Sequence, residues 1–334
     1  MSLSDEHYAL KIWLEKSAKQ LNLQVTNYTW SEKWIPGYCD VGITIEVGKK
    51  IYVGRAGADS LDMALIKAAA EAIERTAITF NNLPTSNGLA AHFSDEIAMQ
   101  FAKVELIERD QFFCHYLTKT KPQKIAIENL LSEDWLELIS KLKNLDVKCE
   151  FFLMRKMGGL FSIICTAKGE KFKKPFGVII GLGCSQFEKS AAQKSVQELM
   201  KNVMAIVELD EVRSMSLQSF LKLEKPSPKN HQALAMDLEY SRQISSFFPE
   251  GMPVQLQAKE EKMDYSNTWN FTKLSLSTEL EGCPIKVYRA ENPRFQNLYF
   301  GQTVRSSFNK QRLEEFYGHS LSDEDLQWLP HPLG

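Results

Sequence analysis

The run Thr85-Ser86-Asn87-Gly88-Leu89-Ala90-Ala91 passes through Ser94-Asp95-Glu96 into Glu105-Leu106-Ile107-Glu108-Arg109-Asp110. It reads as a short apolar strand, a turn of small and polar residues, and an amphipathic helix with two glutamates on one face. The same design occurs on either side of it. Upstream, Lys50-Ile51-Tyr52-Val53-Gly54 leads through Arg55-Ala56-Gly57-Ala58-Asp59-Ser60 to a helix bearing Lys67, Glu71, Glu74 and Arg75, with Asp59 or Ser60 as N-cap. Downstream, the apolar strand Gly177 to Gly183 meets Cys184-Ser185 and a helix bearing Lys194 and Glu198. Three such segments predict an α/β fold with an internal pseudo-repeat, the first two being the symmetry-related pair. Between the second and third, Glu150–Arg155 and Leu160–Thr166 flank Gly158-Gly159, a hairpin signal, so the sheets are expected to be mostly antiparallel and flanked by the motif helices. A further strand is predicted over Pro284–Arg289 and a helix over Ser306–Tyr317. The expected division is an N-terminal helix and lead-in over 1–44 and one compact domain over 45–334, with Lys225–Asn230 as a surface loop within it.

Glutamates three apart on a helix share a face, so Glu71 with Glu74 and Glu105 with Glu108 form paired-carboxylate surfaces. Taken singly, Glu71 with Arg75, or Glu105 with Arg109, is an ordinary ion pair of a solvated helix. A solvated face, however, has no reason to repeat the same loop before the same apolar-flanked glutamates. Facing carboxylates repel unless cations neutralise them, and hard oxygen donors suit Mg2+. Arg75 and Arg109 add donors for phosphate oxygens, and the loops before the helices offer backbone N–H groups to anions.

Composition narrows the alternatives. The 334 residues are 44% hydrophobic and 25% charged, as in an ordinary globular chain, and 40 basic residues against 42 acidic ones create no global field for nucleic acid or an anionic membrane. Met1–Leu23 mixes charges with apolar residues at helical spacing, unlike a secretory signal, and no run reaches membrane-spanning length. The six cysteines lie apart, without metal-ligand spacing, and read as reduced thiols of a cytoplasmic protein. No histidine pair has helix-face ligand spacing, no nucleophile elbow occurs, and Cys114-His115 point apart on a helix. A Gly-x4-Gly-Lys phosphate loop is missing too, so ATP, if used, needs another architecture.

Together the segments resemble the YcaO family. Its Ser-x3-Glu-x2-Glu-Arg signature appears as Lys67-x3-Glu71-x2-Glu74-Arg75, with lysine for serine. The Ser-Asn-Gly-Leu-Ala stretch leading to Glu-Leu-Ile-Glu-Arg-Asp is matched at Ser86–Ala90 and Glu105–Asp110, with His92 where glycine is usual. Its Arg-x3-Glu signature appears as Lys194-x3-Glu198, keeping the charge without the bidentate fork. The resemblance spans about residue 45 to the C-terminus. It implies that Glu71, Glu74, Glu105, Glu108 and Glu198 approach Mg2+, while Lys67, Arg75, Ser86, Asn87, Gly88, Arg109 and Lys194 approach ATP.

Family members that form azolines often end in Pro-x-Pro-x-Pro, and Pro330-His331-Pro332-Leu333-Gly334 keeps two of those prolines. The implied activity is ATP- and Mg2+-dependent cyclodehydration of Cys, Ser or Thr in a ribosomal precursor peptide, on the way to thiazoles or oxazoles. The Gly334 carboxylate or His331 is the expected base. Two alternatives stand beside it: a thioamide-forming enzyme, and a diverged nucleotide-binding regulatory subunit suggested by Lys67 and Lys194. Residues 1–44 are too few for a leader-peptide-binding domain, so a separate partner protein is expected to recognise the precursor. The resemblance also suggests a homodimer.

Overall fold

A computed structural model describes residues 4–209, 212–260 and 268–334. In chain order the elements are α1 (Asp5–Ser17), β1 (Gln24–Tyr28), α2 (Trp30–Trp34), β2 (Cys39–Val47), β3 (Lys50–Ala58), α3 (Leu61–Phe80), β4 (Leu89–His92), α4 (Asp95–Leu117), β5 (Gln123–Lys124) and α5 (Glu133–Asn144). They continue with β6 (Lys148–Leu153), β7 (Phe161–Gly169), β8 (Phe176–Ser185), α6 (Glu188–Leu209), α7 (Leu217–Phe220), α8 (Pro228–Ala235), α9 (Leu238–Gln243), β9 (Asn270–Lys273), β10 (Lys286–Glu291) and α10 (Lys310–Tyr317). Three sheets form, in the orders β1-β2-β3, β4-β10-β9 and β5-β6-β7-β8, and every pairing within them is antiparallel, as expected. The Gly158-Gly159 pair takes positive φ between β6 and β7, where glycine alone is unstrained.

The chain forms two compact units instead of dividing at 44/45, a position that lies inside β2. One comprises Met1–Leu106 and Trp269–Asn292, the other Ile107–Thr268 and Pro293–Gly334, so the division falls within α4. The lead-in belongs to the first unit because α1 buries Leu10 and Trp13 in the core that also holds Ile43 and Ile45 of β2, the small residues Ala64, Ala68 and Ala72 of α3, and Val287 of β10. Of the expected first helix, Met1–Leu3 lie outside the described residues. The core of the second unit gathers Phe112, Phe113 and Tyr116 from α4, Ile164 and Val178 from the sheet, Leu234, Phe316 and Leu333. The Lys225–Asn230 loop lies in this unit and ends in a capping box between Ser227 and Asn230 that starts α8.

Local geometry repeats between the first and third segments, not the first two. In each, an antiparallel hairpin is followed by a helix laid against its last strand, and that strand is a sheet edge. A Cβ on Gly54 of β3 would lie 2.0 Å from Ala68 O and 2.5 Å from Ala72 N; on Gly181 of β8 it would lie 2.2 Å from Ser195 O and 2.6 Å from Leu199 N. The offsets along the chain are identical in the two copies. One residue beyond each glycine, the backbone N–H of the edge strand donates to a helix glutamate: Arg55 N to Glu71 Oε2 at 2.9 Å, and Leu182 N to Glu198 Oε2 at 3.0 Å. The carboxylate therefore satisfies a donor that an edge strand would otherwise leave open. The second segment differs because β4 pairs with β10 instead of closing a hairpin. Alanine at Gly54 or Gly181 must push the helix backbone away, so each substitution is expected to cost about 3 kcal/mol or more, read as a lowered urea midpoint.

Candidate functional site: two carboxylate clusters

In the first unit, α3 presents Glu71, Glu74 and Arg75 while α4 presents Glu105. Glu71 is committed on both oxygens, to Arg55 N–H through Oε2 and to the Arg75 guanidinium at 2.7 Å through Oε1. Arg55 is itself fixed by Asp40, whose Oδ2 accepts from its Nη2 at 2.6 Å, and it lies 3.9 Å over the Tyr28 ring. Glu74 carries the electrostatic load. Burial, then the charges of Glu105 and Glu71, push its carboxyl well above the usual range, against Arg75 and an Ala91 N–H.

The loop between α3 and β4 holds Asn87 buried and Ser86 half-buried. Gly88 has φ +69°, and a Cβ there would meet Ala290 O at 2.4 Å, so its glycine is required by the close approach of β10. Lys67 is exposed on α3.

The second unit holds Glu108 and Arg109 of α4 with Lys194 and Glu198 of α6. Glu108 is only 9% exposed. Burial first, with Glu198 adding to it and Arg109 and Lys194 opposing, leaves its carboxyl raised to about 7. The Lys194 ammonium donates to Cys184 O at 3.1 Å. Because Lys67 and Lys194 each stand four residues before the strand-bonded glutamate, the two departures from the family signatures occupy matching positions in the two hairpin–helix copies.

Both clusters consist of carboxylate oxygens crowded where their charge is costly, the donor chemistry that a hard divalent cation such as Mg2+ relieves. They are neighbours in charge, not a closed coordination shell: among the described residues no three His, Cys, Asp or Glu side chains stand at metal-holding spacing. Glu74 and Glu108 are the members with the most to gain from a cation.

The tail residues have different surroundings. His331 is fully buried, Nε2 donating to Tyr299 O at 2.5 Å and Nδ1 accepting from Leu333 N–H at 3.3 Å, so both ring nitrogens are occupied by structure and neither stands ready as a base. Gly334 is exposed. Sequence reading did not reveal the seat that holds this tail, built from Tyr116, Tyr240 and His231, nor the buried Asp110–Arg312 pair. Asp110 closes the quoted motif, but nothing local in the sequence points to a partner so distant along the chain. All six cysteines are free thiols, and no helix among the described residues is long and apolar enough to cross a membrane.

Comparison with known proteins accords with this geometry. Among curated proteins, no sequence matches the chain. Its structure is similar to that of a YcaO protein from Methanopyrus kandleri bound with AMPPCP and Mg2+, with a TM-score of 0.61 and 12% identity over 87% of this chain and 91% of that one. It is similar also to a heterocyclase in complex with substrate and cofactor, with a TM-score of 0.66 and 10% identity over 96% of this chain, which spans 57% of the heterocyclase. A third likeness is to the E. coli microcin synthetase McbBCD complex, with a TM-score of 0.52 and 12% identity over 77% of this chain and 85% of that one. At these identities the likeness is one of fold. The sequence itself matches the family of ATP- and Mg2+-binding YcaO cyclodehydratases over residues 79–283, well over half of its length, and the chain therefore belongs to the YcaO family.

Proposed function

We propose that the chain is an ATP- and Mg2+-dependent enzyme that activates peptide backbone amides, forming azolines from Cys, Ser or Thr residues of a precursor peptide. The observation that carries the reading is the pair of crowded carboxylate clusters, Glu74 with Glu71 and Glu105, and Glu108 with Glu198, each beside basic side chains. Mg·ATP, when bound, supplies the phosphoryl group with which a carbonyl oxygen departs as phosphate.

The chain's own residues bind and orient. Glu74, Glu105, Glu108 and Glu198 would hold Mg2+, with Glu71 positioning α3 against β3 and sharing its remaining charge with Arg75. Arg75, Arg109 and Lys194 neutralise charge on phosphate oxygens. Ser86, Asn87 and the Gly88 backbone line the approach to the nucleotide, with exposed Lys67 at its margin. With His331 engaged, the Gly334 carboxylate is the tail group this reading retains as base. A separate protein delivers the peptide by its leader, the active form is a homodimer, and the free thiols suit the cytoplasm.

Incubating the chain with precursor peptide, its partner protein and Mg·ATP tests this by mass spectrometry. The expected product has lost one water per ring, in step with ATP hydrolysis. Exchange of oxygen for sulfur when sulfide is supplied would assign thioamide formation instead. ATP binding without hydrolysis would make the chain a regulatory subunit and overturn the proposal.

A further inference from the structure

Within the second unit, the rings of His231 on α8 and His331 in the tail stack at a centroid distance of 4.0 Å and an interplanar angle of 10°, both fully buried. Their hydrogen bonds fix complementary tautomers. His231 donates from Nδ1 to His331 O at 2.7 Å and accepts from Gly301 N–H on Nε2 at 2.8 Å. His331 donates from Nε2 to Tyr299 O and accepts from Leu333 N–H on Nδ1. Every ring nitrogen is thus satisfied, and only while both rings are neutral. Adding a proton to His231 would turn Nε2 into a donor facing the Gly301 donor; adding one to His331 would do the same against Leu333. Two stacked imidazolium rings would also repel.

The neighbours offer no compensation. Arg109 of α4 lies on the destabilising side for a charged His331. Tyr116 of α4 and Tyr240 of α9 spend their hydroxyls on Pro330 O, and Tyr299 donates to or accepts from Thr303. None of these groups supplies a negative charge. Phe113 and Phe220 close edge-on over His331 and His231 at 4.9 and 4.8 Å.

We propose that His231 is a positioning residue for the tail: with His331 it forms a latch of two neutral imidazoles that seats Pro330–Leu333 and opens when either ring takes a proton. The latch is independent of the chemistry proposed above; only its consequence, delivery of Gly334, rests on that reading. The sign follows from burial, which drives the His231 pKa down to about 4 and that of His331 well below its ordinary range. Tail seating is complete in neutral solution; its stability declines as pH falls below about 6.5, and the latch opens only near the lower folded-state values.

Nitrogen-15 NMR of the full, histidine-labelled chain tests the latch without any activity. At neutral pH His231 is expected to appear as an Nδ1–H and His331 as an Nε2–H imidazole, each assigned by single substitution and still neutral at about pH 5.5, a pH at which an ordinary histidine is protonated. In His231→Phe, which keeps an aromatic ring but neither polar contact, carboxypeptidase is expected to release Leu333 and Gly334 at least about tenfold faster at neutral pH, the equivalent of one or two lost buried hydrogen bonds. Titration of wild-type His331 near pH 6.5, or release within twofold of wild type, would overturn the latch. Calorimetry with Mg·ATP keeps the two ideas apart. Faster release with ATP affinity retained supports the latch, whereas a wild-type chain that binds no ATP defeats the proposed function and leaves the latch standing.

Discussion

Replacing Arg312 with methionine is expected to lower stability by about 3–5 kcal/mol, because it strands a buried carboxylate. Arg312 and Asp110 are both completely buried and paired through two guanidinium nitrogens, with Nε 2.9 Å from Oδ1 and Nη2 2.5 Å from Oδ2. Asp110 also accepts from Gln296 N–H at 2.8 Å, so the pair ties α4 to α10 and to the loop before it. Against a total stability on the order of 5–15 kcal/mol, such a loss would be visible as a melting point lowered by about 10 °C. The double variant Asp110→Leu/Arg312→Met removes both charges and is expected to recover most of it. Because Asp110 follows Glu108 and Arg109 directly on α4, the single variant should also weaken Mg·ATP binding. A melting shift no larger than that of a surface substitution, about 0.5 kcal/mol, would remove the pair from this role.

Glu108→Gln is expected to act in opposite directions on stability and on turnover. Burial and Glu198 hold the Glu108 carboxyl at about 7. A carboxyl whose folded-state pKa is raised contributes its stability at low pH and loses it as pH climbs from the ordinary glutamate range through that value. The metal-free wild type should therefore be less stable at pH 8 than at pH 5, and Mg2+ should restore the difference. Glutamine is expected to remove the Glu108 share of both the pH dependence and the response to Mg2+, leaving that of Glu74, while raising metal-free stability at pH 8. Peptide-dependent ATP hydrolysis should fall by about 100-fold or more, as for loss of a group that orients or neutralises the reacting charge. Thermal melts at the two pH values with and without Mg2+ read the first effect, and phosphate release reads the second.

The parts of this molecule legible in the sequence were those whose information is local. Glu71, Glu74, Glu105 and Glu108 announce themselves by helical spacing and by the loops before them. The β6–β7 hairpin is marked by Gly158-Gly159, and β10 lies within the strand expected over Pro284–Arg289 and its continuation. What escaped depends on packing between distant segments. Leu10 and Trp13, unremarkable in a short amphipathic helix, complete a core built with β2 and α3. The symmetry between the first two motif segments gave way to one between the first and third, since Gly54 and Gly181 are defined by what touches them. Their spacing to Glu71 and Glu198 was present in the sequence, but it acquires meaning only once an edge-strand N–H is seen to need an acceptor. His331 looked like a base because its residue type suits the task. Burial and two backbone partners give it another one, and neither is written in the residues beside it.

The central claim is that carboxylate clusters on α3, α4 and α6 bind Mg·ATP, and calorimetric titration of Mg·ATP into wild type and Glu105→Ala tests it most directly. The expected result is saturable, Mg2+-dependent binding by wild type, weakened by about 10- to 100-fold or more in the variant, with both proteins showing the same folded circular dichroism. Equal affinity in the two proteins would contradict the claim.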